Sequence, residues 1–269
     1  MMDRVVSRER REYLRCKRKH KILVRVTQVL IVAIFLVSWE LFANLGIIDS
    51  FITSKPSKVW ETFINMLSNG LWYHIGVTCL ETFIGFVFGT LIGVLTASIL
   101  WWSNFFSEVL APFFVVLNSL PKVALGPIII IWVGAGMPAI ITMALAISLI
   151  VTILDMLNGF MSTDKNKIKM AETFGANKYQ VFTKIVFPSN ISTLLNVLKV
   201  SIGLSMVGVI TGEFLVSKGG LGYLIVYGGQ VFKLDLVMTS VIILGIVATL
   251  MYLAVCLLQK IIFVSGKWK

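Results

Sequence analysis

Residues 75–102 read Ile-Gly-Val-Thr-Cys-Leu-Glu-Thr-Phe-Ile-Gly-Phe-Val-Phe-Gly-Thr-Leu-Ile-Gly-Val-Leu-Thr-Ala-Ser-Ile-Leu-Trp-Trp, with Glu81 the one charged side chain in the run. A helix of about 20 apolar residues crosses the hydrocarbon core of a bilayer, whose interior offers no water to a backbone left unpaired. A run this long and this apolar predicts a membrane-spanning helix. Working outward from it, five further runs of the same kind are found, over 22–46, 105–133, 137–160, 191–216 and 236–264. The third differs from the rest, because Pro112, Pro121 and Pro127 interrupt it. The expected fold is all-α, a polytopic membrane protein of six transmembrane helices.

Composition agrees. Of 269 residues, 57% are hydrophobic and 14% charged, and mean hydropathy is +0.91, whereas a soluble domain carries about a quarter charged residues. The formal net charge of +11 is unevenly placed: ten of the 24 Lys and Arg fall in the first 25 residues. A basic block beside a hydrophobic run reads as a cytoplasmic anchor against anionic lipid head groups. Nucleic acid is not an expected partner, since basic residues are not interleaved with aromatics on a folded module. The chain divides into a basic tail, 1–25, and a transmembrane domain, 26–269. No cleaved signal peptide is expected, because the first apolar run exceeds the usual h-region and no small-residue cleavage site follows it. Cys16, Cys79 and Cys256 lack disulfide or zinc spacing, and His20 and His74 belong to no ligand cluster.

The loops set the orientation. Lys165, Lys167, Lys169, Lys178 and Lys184 crowd the connection after the fourth run, and Lys260, Lys267 and Lys269 lie at the carboxyl end. Positive loops stay inside, so both termini and the 161–190 loop are expected in the cytoplasm. Gly85, Gly89 and Gly93 form one ridge of the second run, with Gly208 and Gly212 on the fifth; small residues so spaced allow close backbone approach, read here as packing within the subunit. Trp72, Tyr73, Trp101, Trp102 and Trp132 sit at span ends and read as an interfacial aromatic belt.

The loop itself carries the most information. Residues 167–188 read Lys-Ile-Lys-Met-Ala-Glu-Thr-Phe-Gly-Ala-Asn-Lys-Tyr-Gln-Val-Phe-Thr-Lys-Ile-Val-Phe-Pro. Ile168, Ala171, Phe174, Val181, Phe182 and Ile185 recur at roughly helical spacing. Gly175 permits the left-handed conformation that ends a helix, and Asn177 can cap the next. Two short helices are predicted outside the bilayer, with an apolar face to be buried against the bundle, the lipid surface or a partner.

This loop resembles the coupling motif of ATP-binding-cassette importer permeases, Glu-Ala-Ala, three residues, Gly, nine residues, Ile-x-Leu-Pro. Ala171, Gly175, Ile185 and Pro188 match in spacing, while Lys169, Met170 and Phe187 depart from it. Thr53–Val59, Leu120–Pro127 with Trp132–Gly136, and Gly212–Leu215 with Gly219–Ile225 are similar to blocks of permeases for taurine, sulfonate, nitrate and related solutes, and occur in family order; Glu81 stands where these relatives often have Arg. The resemblance implies a type I importer fold working as a pair, most simply two copies of this chain, in a prokaryotic plasma membrane. Two ATPase subunits would dock through Ala171, Glu172, Phe174, Gly175, Ala176, Ile185 and Pro188. A binding protein would deliver a small, anionic solute or a heterocyclic vitamin precursor from outside. The chain has no GxxxxGK[ST] phosphate loop, so it is not expected to be an enzyme or to bind a cofactor; ATP and Mg²⁺ belong to the partner.

Charges inside a bilayer cost about 2.5–3.5 kcal/mol each at its centre and are functional candidates. Glu40, Glu81, Lys122, Asp155, Lys199 and Glu213 fall within or near the runs. Lys122, with Asn118 and Ser119 at the proline break, is the candidate for the solute path, or else pairs with a glutamate; Asp155 and Lys199 are expected to pair with each other. Competing readings are the scaffold subunit of another vitamin importer and a secondary transporter, whose inverted repeats are not evident. A membrane-embedded enzyme would need a polar cluster that these scattered charges do not supply.

Overall fold

The computed structural model describes residues 8–264, with side-chain surroundings for 13–261 apart from Asn104. Arg4 and the terminal Lys267 and Lys269 therefore lie outside the described residues. The described chain is helical throughout: α1 (Arg8–Asn44), α2 (Ser50–Thr53), α3 (Pro56–Ser68), α4 (Leu71–Trp101), α5 (Asn104–Ser119), a 3₁₀ turn (Lys122–Leu125), α6 (Gly126–Val133), α7 (Met137–Met161), α8 (Lys165–Thr173), α9 (Lys178–Val181), a π turn (Phe182–Val186), α10 (Phe187–Ser189), α11 (Ile191–Val216), α12 (Leu221–Gln230) and α13 (Leu234–Val264). Among the described residues five helices are long and apolar enough to cross a bilayer, six if the bent α5–α6 pair counts as one span.

The third apolar run is not one helix. α5 and α6 meet at 87°. Pro121 cannot donate a backbone hydrogen bond, and it forces Leu120 into extended conformation (φ −65°, ψ 139°). The helix therefore stops at Ser119 and restarts through the 3₁₀ turn.

At the centre lies α7, clasped between α4 and α11. A Cβ on Gly85, Gly89 or Gly93 of α4 would lie 2.5–2.6 Å from Ala144, Ser148 or Thr152. A Cβ on Gly208 or Gly212 of α11 would come 2.5–2.9 Å from the backbone of Ala144 or Ile140. Both glycine ridges thus serve packing inside the subunit, as their spacing suggested. Among lipids, where helices gain little from hydrophobic burial, such backbone approach holds the bundle through dispersion. Hydroxyls complete the interior: Thr90 and Thr152 reach Ser201 Oγ at 3.2 and 3.4 Å.

α1 stands apart, with none of its membrane-crossing window buried. The proposed tail boundary at 25/26 falls inside this single helix. It is tied at its C-terminal end, where Glu40 accepts from Ser57 N (3.0 Å) and Ser57 Oγ (2.9 Å) at the start of α3. A carboxylate at a helix N-terminus satisfies donors that would otherwise go unpaired.

Two expectations are corrected. Asp155 and Lys199 do not pair; among the described residues the ion pair formed is Lys58–Asp235, at 3.9 Å. Trp101 is not a belt residue but is 9% exposed, packed in the core against the 161–190 loop. The loop folds back onto it and covers its ring. Trp72, Tyr73 and Trp132 remain exposed, as interfacial residues should.

Candidate functional site

The 161–190 loop is built from locally encoded caps. Asp164 accepts from Asn166 N (2.8 Å) and starts α8. That helix ends in a Schellman motif: Gly175, at φ +80°, donates to Glu172 O (2.9 Å), and Ala176 donates to Ala171 O (3.0 Å). Asn177 then accepts from Gln180 N (2.8 Å) while Gln180 Oε1 accepts from Asn177 N (2.9 Å), a capping box that opens α9. The break predicted at 175–177 is present, with each orphan group satisfied.

The apolar face divides in two. Val181, Phe182 and Val186 are buried, with Ile168, Ala171, Ala176 and Phe187 packed beside them against Trp101, Phe160 and Met156. Phe182 stands at the centre, its ring 5.0 Å from Trp101, 5.4 Å from Phe160 and 6.1 Å from Phe187. Lys178 fastens the rim, donating to Trp102 O (2.6 Å) with its ammonium 5.8 Å from the Trp101 ring. Much of the face is thus satisfied by the chain's own spans. Left outside are Phe174, 83% exposed, with Met170 and Tyr179, also exposed. Of the seven loop candidates, Glu172, Phe174 and Gly175 face outward, whereas Ala171, Ala176, Ile185 and Pro188 are half-buried and seat the loop on the bundle. Phe182 belongs to the apolar face expected from the sequence, whereas the parts of Trp101 and Lys178 in holding the loop were not read, because a tryptophan at a span end and a lysine in a basic loop each have a ready alternative meaning.

The second candidate group lies at the α5–α6 break. Lys122 Nζ donates to Asn118 Oδ1 (3.1 Å) and Asn118 O (3.4 Å), and Ser119 Oγ donates to Val115 O (2.9 Å). All are at least partly accessible. Lys122 reaches no glutamate among the described residues; it caps the carbonyl end of α5, where a cation is favoured. What the break offers is one ammonium and one amide beside an unwound backbone, suited to an anion. Among the described residues no three His, Cys, Asp or Glu converge to hold a metal.

Comparison with known proteins places this geometry. Residues 89–263 match the model of the family described as binding-protein-dependent transport system inner membrane component. A probable ABC transporter permease protein of Haemophilus influenzae is 28% identical, covering 84% of this chain and 92% of its own length. The riboflavin transport system permease protein RibX of Chloroflexus aurantiacus is 26% identical, covering 85% and 86%. The taurine transport system permease protein TauC of Escherichia coli is 22% identical, covering 85% of each. Among solved structures, a chain from a bacterial ABC transporter involved in the import of the polysaccharide alginate superposes with TM-score 0.63 at 14% identity, covering 93% of this chain and 98% of that one.

Proposed function

From the premise that this chain belongs to the binding-protein-dependent transport system inner membrane components, the permease subunits of ATP-binding-cassette importers, we propose that the Glu172–Gly175 turn seats the ATPase and that an anionic solute passes the α5–α6 break. The chain is a multi-pass transport subunit and not an enzyme; hydrolysis belongs to a separate subunit, and a binding protein delivers the solute. ATP and Mg²⁺ act on the ATPase. We place the turn and both termini in the cytoplasm, and read the complete importer as two copies of this chain with two ATPase subunits.

The single observation that carries the proposal is Phe174, 83% exposed on a turn whose Ala171 and Ala176 are packed against the chain's own core. A solvated loop has no reason to hold a phenyl ring out on two capped helices, whereas a partner's pocket does. Pushed from below, α8 and α9 would transmit the load through Phe182 and Trp101 to α4, and through α10 to α11. Gly175→Glu tests the reading. Its φ of +80° disfavours any side chain, yet a Cβ there meets nothing within 4 Å. Membrane insertion should persist while ATPase co-purification or coupled hydrolysis, and with it uptake, is lost. Wild-type values for all three would overturn the assignment.

For the solute, Lys122 supports an anion or a zwitterion bearing one, in keeping with the taurine relative. Lys122→Met should lower uptake roughly tenfold, the loss of one charged hydrogen bond of about 1.5 kcal/mol, with little change in melting temperature. A fall in yield at unchanged specific uptake would make Lys122 structural. The riboflavin relative favours a second cargo, a heterocyclic vitamin. Ligand screening of the associated binding protein separates the two.

A further inference from the structure

A second polar site lies at the opposite end of α11, inside the apolar bundle. Glu213 is 1% exposed and Glu81, on α4, is 4% exposed. Glu213 is held at both oxygens, and the residue that holds one of them is itself held by the turn. Thr78 donates to its Oε1 at 2.6 Å, Gly222 N donates to Oε2, and Leu221 N donates to Thr78 Oγ1 at 2.8 Å. The turn Gly219-Gly220-Leu221-Gly222 is wrapped so tightly round this carboxylate that a Cβ on Gly222 would stand 2.7 Å from Oε2. Gly220, at φ +104°, would also drive a Cβ into the carboxylate. This glycine turn is therefore a cradle for the chain's own Glu213, whose negative charge and α12's first amide groups attract each other.

Glu81 has no such provision. It lies one helical turn beyond Thr78, the α4 residue that donates to Glu213, and its Oε2, fully enclosed, finds no donor. Among the described residues neither carboxylate forms an ion pair. The ion pair found among the described residues is Lys58–Asp235, elsewhere. His74, the nearest basic group, accepts from Gly220 N through Nδ1 (3.1 Å) and is neutral in that arrangement. Cys79 follows Thr78 on α4, Tyr223 follows Gly222 on α12, and α7 presents Ile140, Met143 and Ala144. Two carboxylates facing the same interior, both buried and with no basic side chain paired to either among the described residues, cannot both be ionised. A carboxylic acid, by contrast, has a proton to donate, and an enclosed oxygen without a donor is where a carboxylic O–H has its place.

We infer that Glu81 and Glu213 form a proton-binding site that holds one proton at neutral pH, carried by Glu81 and shared with the ionised Glu213. The bound proton ties α4 to α11 and to the cradle that starts α12, so the outer hairpin moves as one body with the helix that leaves the cytoplasmic loop. This assignment is independent of cargo and ATPase.

Infrared spectroscopy of the full-length protein in lipid nanodiscs at neutral pH tests it. A protonated-carboxyl C=O band should be present, shift in D₂O, shift again on ¹³C-labelling of glutamate but not of aspartate, and vanish in Glu81→Gln. The amide keeps a donor towards Glu213, so Glu81→Gln should melt close to wild type while Glu81→Ala melts lower. Glutamate labelling needs no variant and stands even if Glu81→Gln fails to fold. Absence of the band, its insensitivity to glutamate labelling, or its persistence in a folded Glu81→Gln overturns the proposal. So does a wild-type melting temperature that rises when Na⁺ replaces K⁺, since the pair would then hold a metal cation.

Discussion

Two glycine turns flank α11, one at each end, and they are built to opposite ends. At the cytoplasmic turn Gly175 has φ +80° and open space around it; at the outer turn Gly220 has φ +104° and Glu213 packed against it. Both start a short helix, and both need a residue tolerant of positive φ. The outer turn spends its donors on the chain's own carboxylate, while the inner one satisfies its backbone locally and leaves Phe174 unmatched. A turn filled by its own protein is architecture. A turn that is rigid, satisfied and still empty on one side is a place for something else.

The contrast can be broken most sharply at the outer turn. Gly220→Val adds a β-branched side chain at positive φ and forces it into Glu213, so strain and overpacking should together cost about 3 kcal/mol or more. Little folded subunit should be recovered, as read by yield and thermal unfolding. At the inner turn the effect should move from stability to association. Phe174→Ala should change melting little, by about 0.5 kcal/mol or less, while weakening ATPase capture roughly 30-fold, or about 2 kcal/mol; titration of ATPase onto nanodisc-held subunit measures it. Lys178→Met sharpens the distinction further. Losing its hydrogen bond to Trp102 O and its contact with the Trp101 ring should lower stability by about 1 kcal/mol. Affinity should fall less than in Phe174→Ala, because Lys178 fastens the turn without being its contact surface.

What could be read beforehand follows the same division. The inner turn was legible because its determinants are local: Gly175 ends a helix, Asn177 and Gln180 stand three apart, and Asp164 precedes α8. The spans were legible from hydropathy, and the packing role of Gly85, Gly89 and Gly93 from their spacing. The outer turn was not, since Thr78 and Glu213 are 135 residues apart and no pattern in either neighbourhood announces the other. The same distance hid Lys178 and its bond to Trp102, 76 residues away. The 87° break was only half legible: prolines marked where α5 ends, but the direction of α6 depends on packing against α7 and α11. α3 and α12 were missed as helices, being too short or too polar to register as spans. The pairing expected of Asp155 with Lys199 failed because like depth in the membrane does not place two side chains on facing surfaces.

The central claim is that the cytoplasmic turn is the ATPase seat, and photo-crosslinking tests it most directly. A photoreactive amino acid placed at Phe174 is compared with the same group at Phe232, which is 71% exposed in the connection between α12 and α13, at the end of the bundle that the proposed topology puts outside. In the assembled, ATP-hydrolysing transporter, irradiation should trap the ATPase from position 174 and never from position 232. Capture of the ATPase from position 232, or none from 174 in a complex that still hydrolyses ATP, would contradict the account.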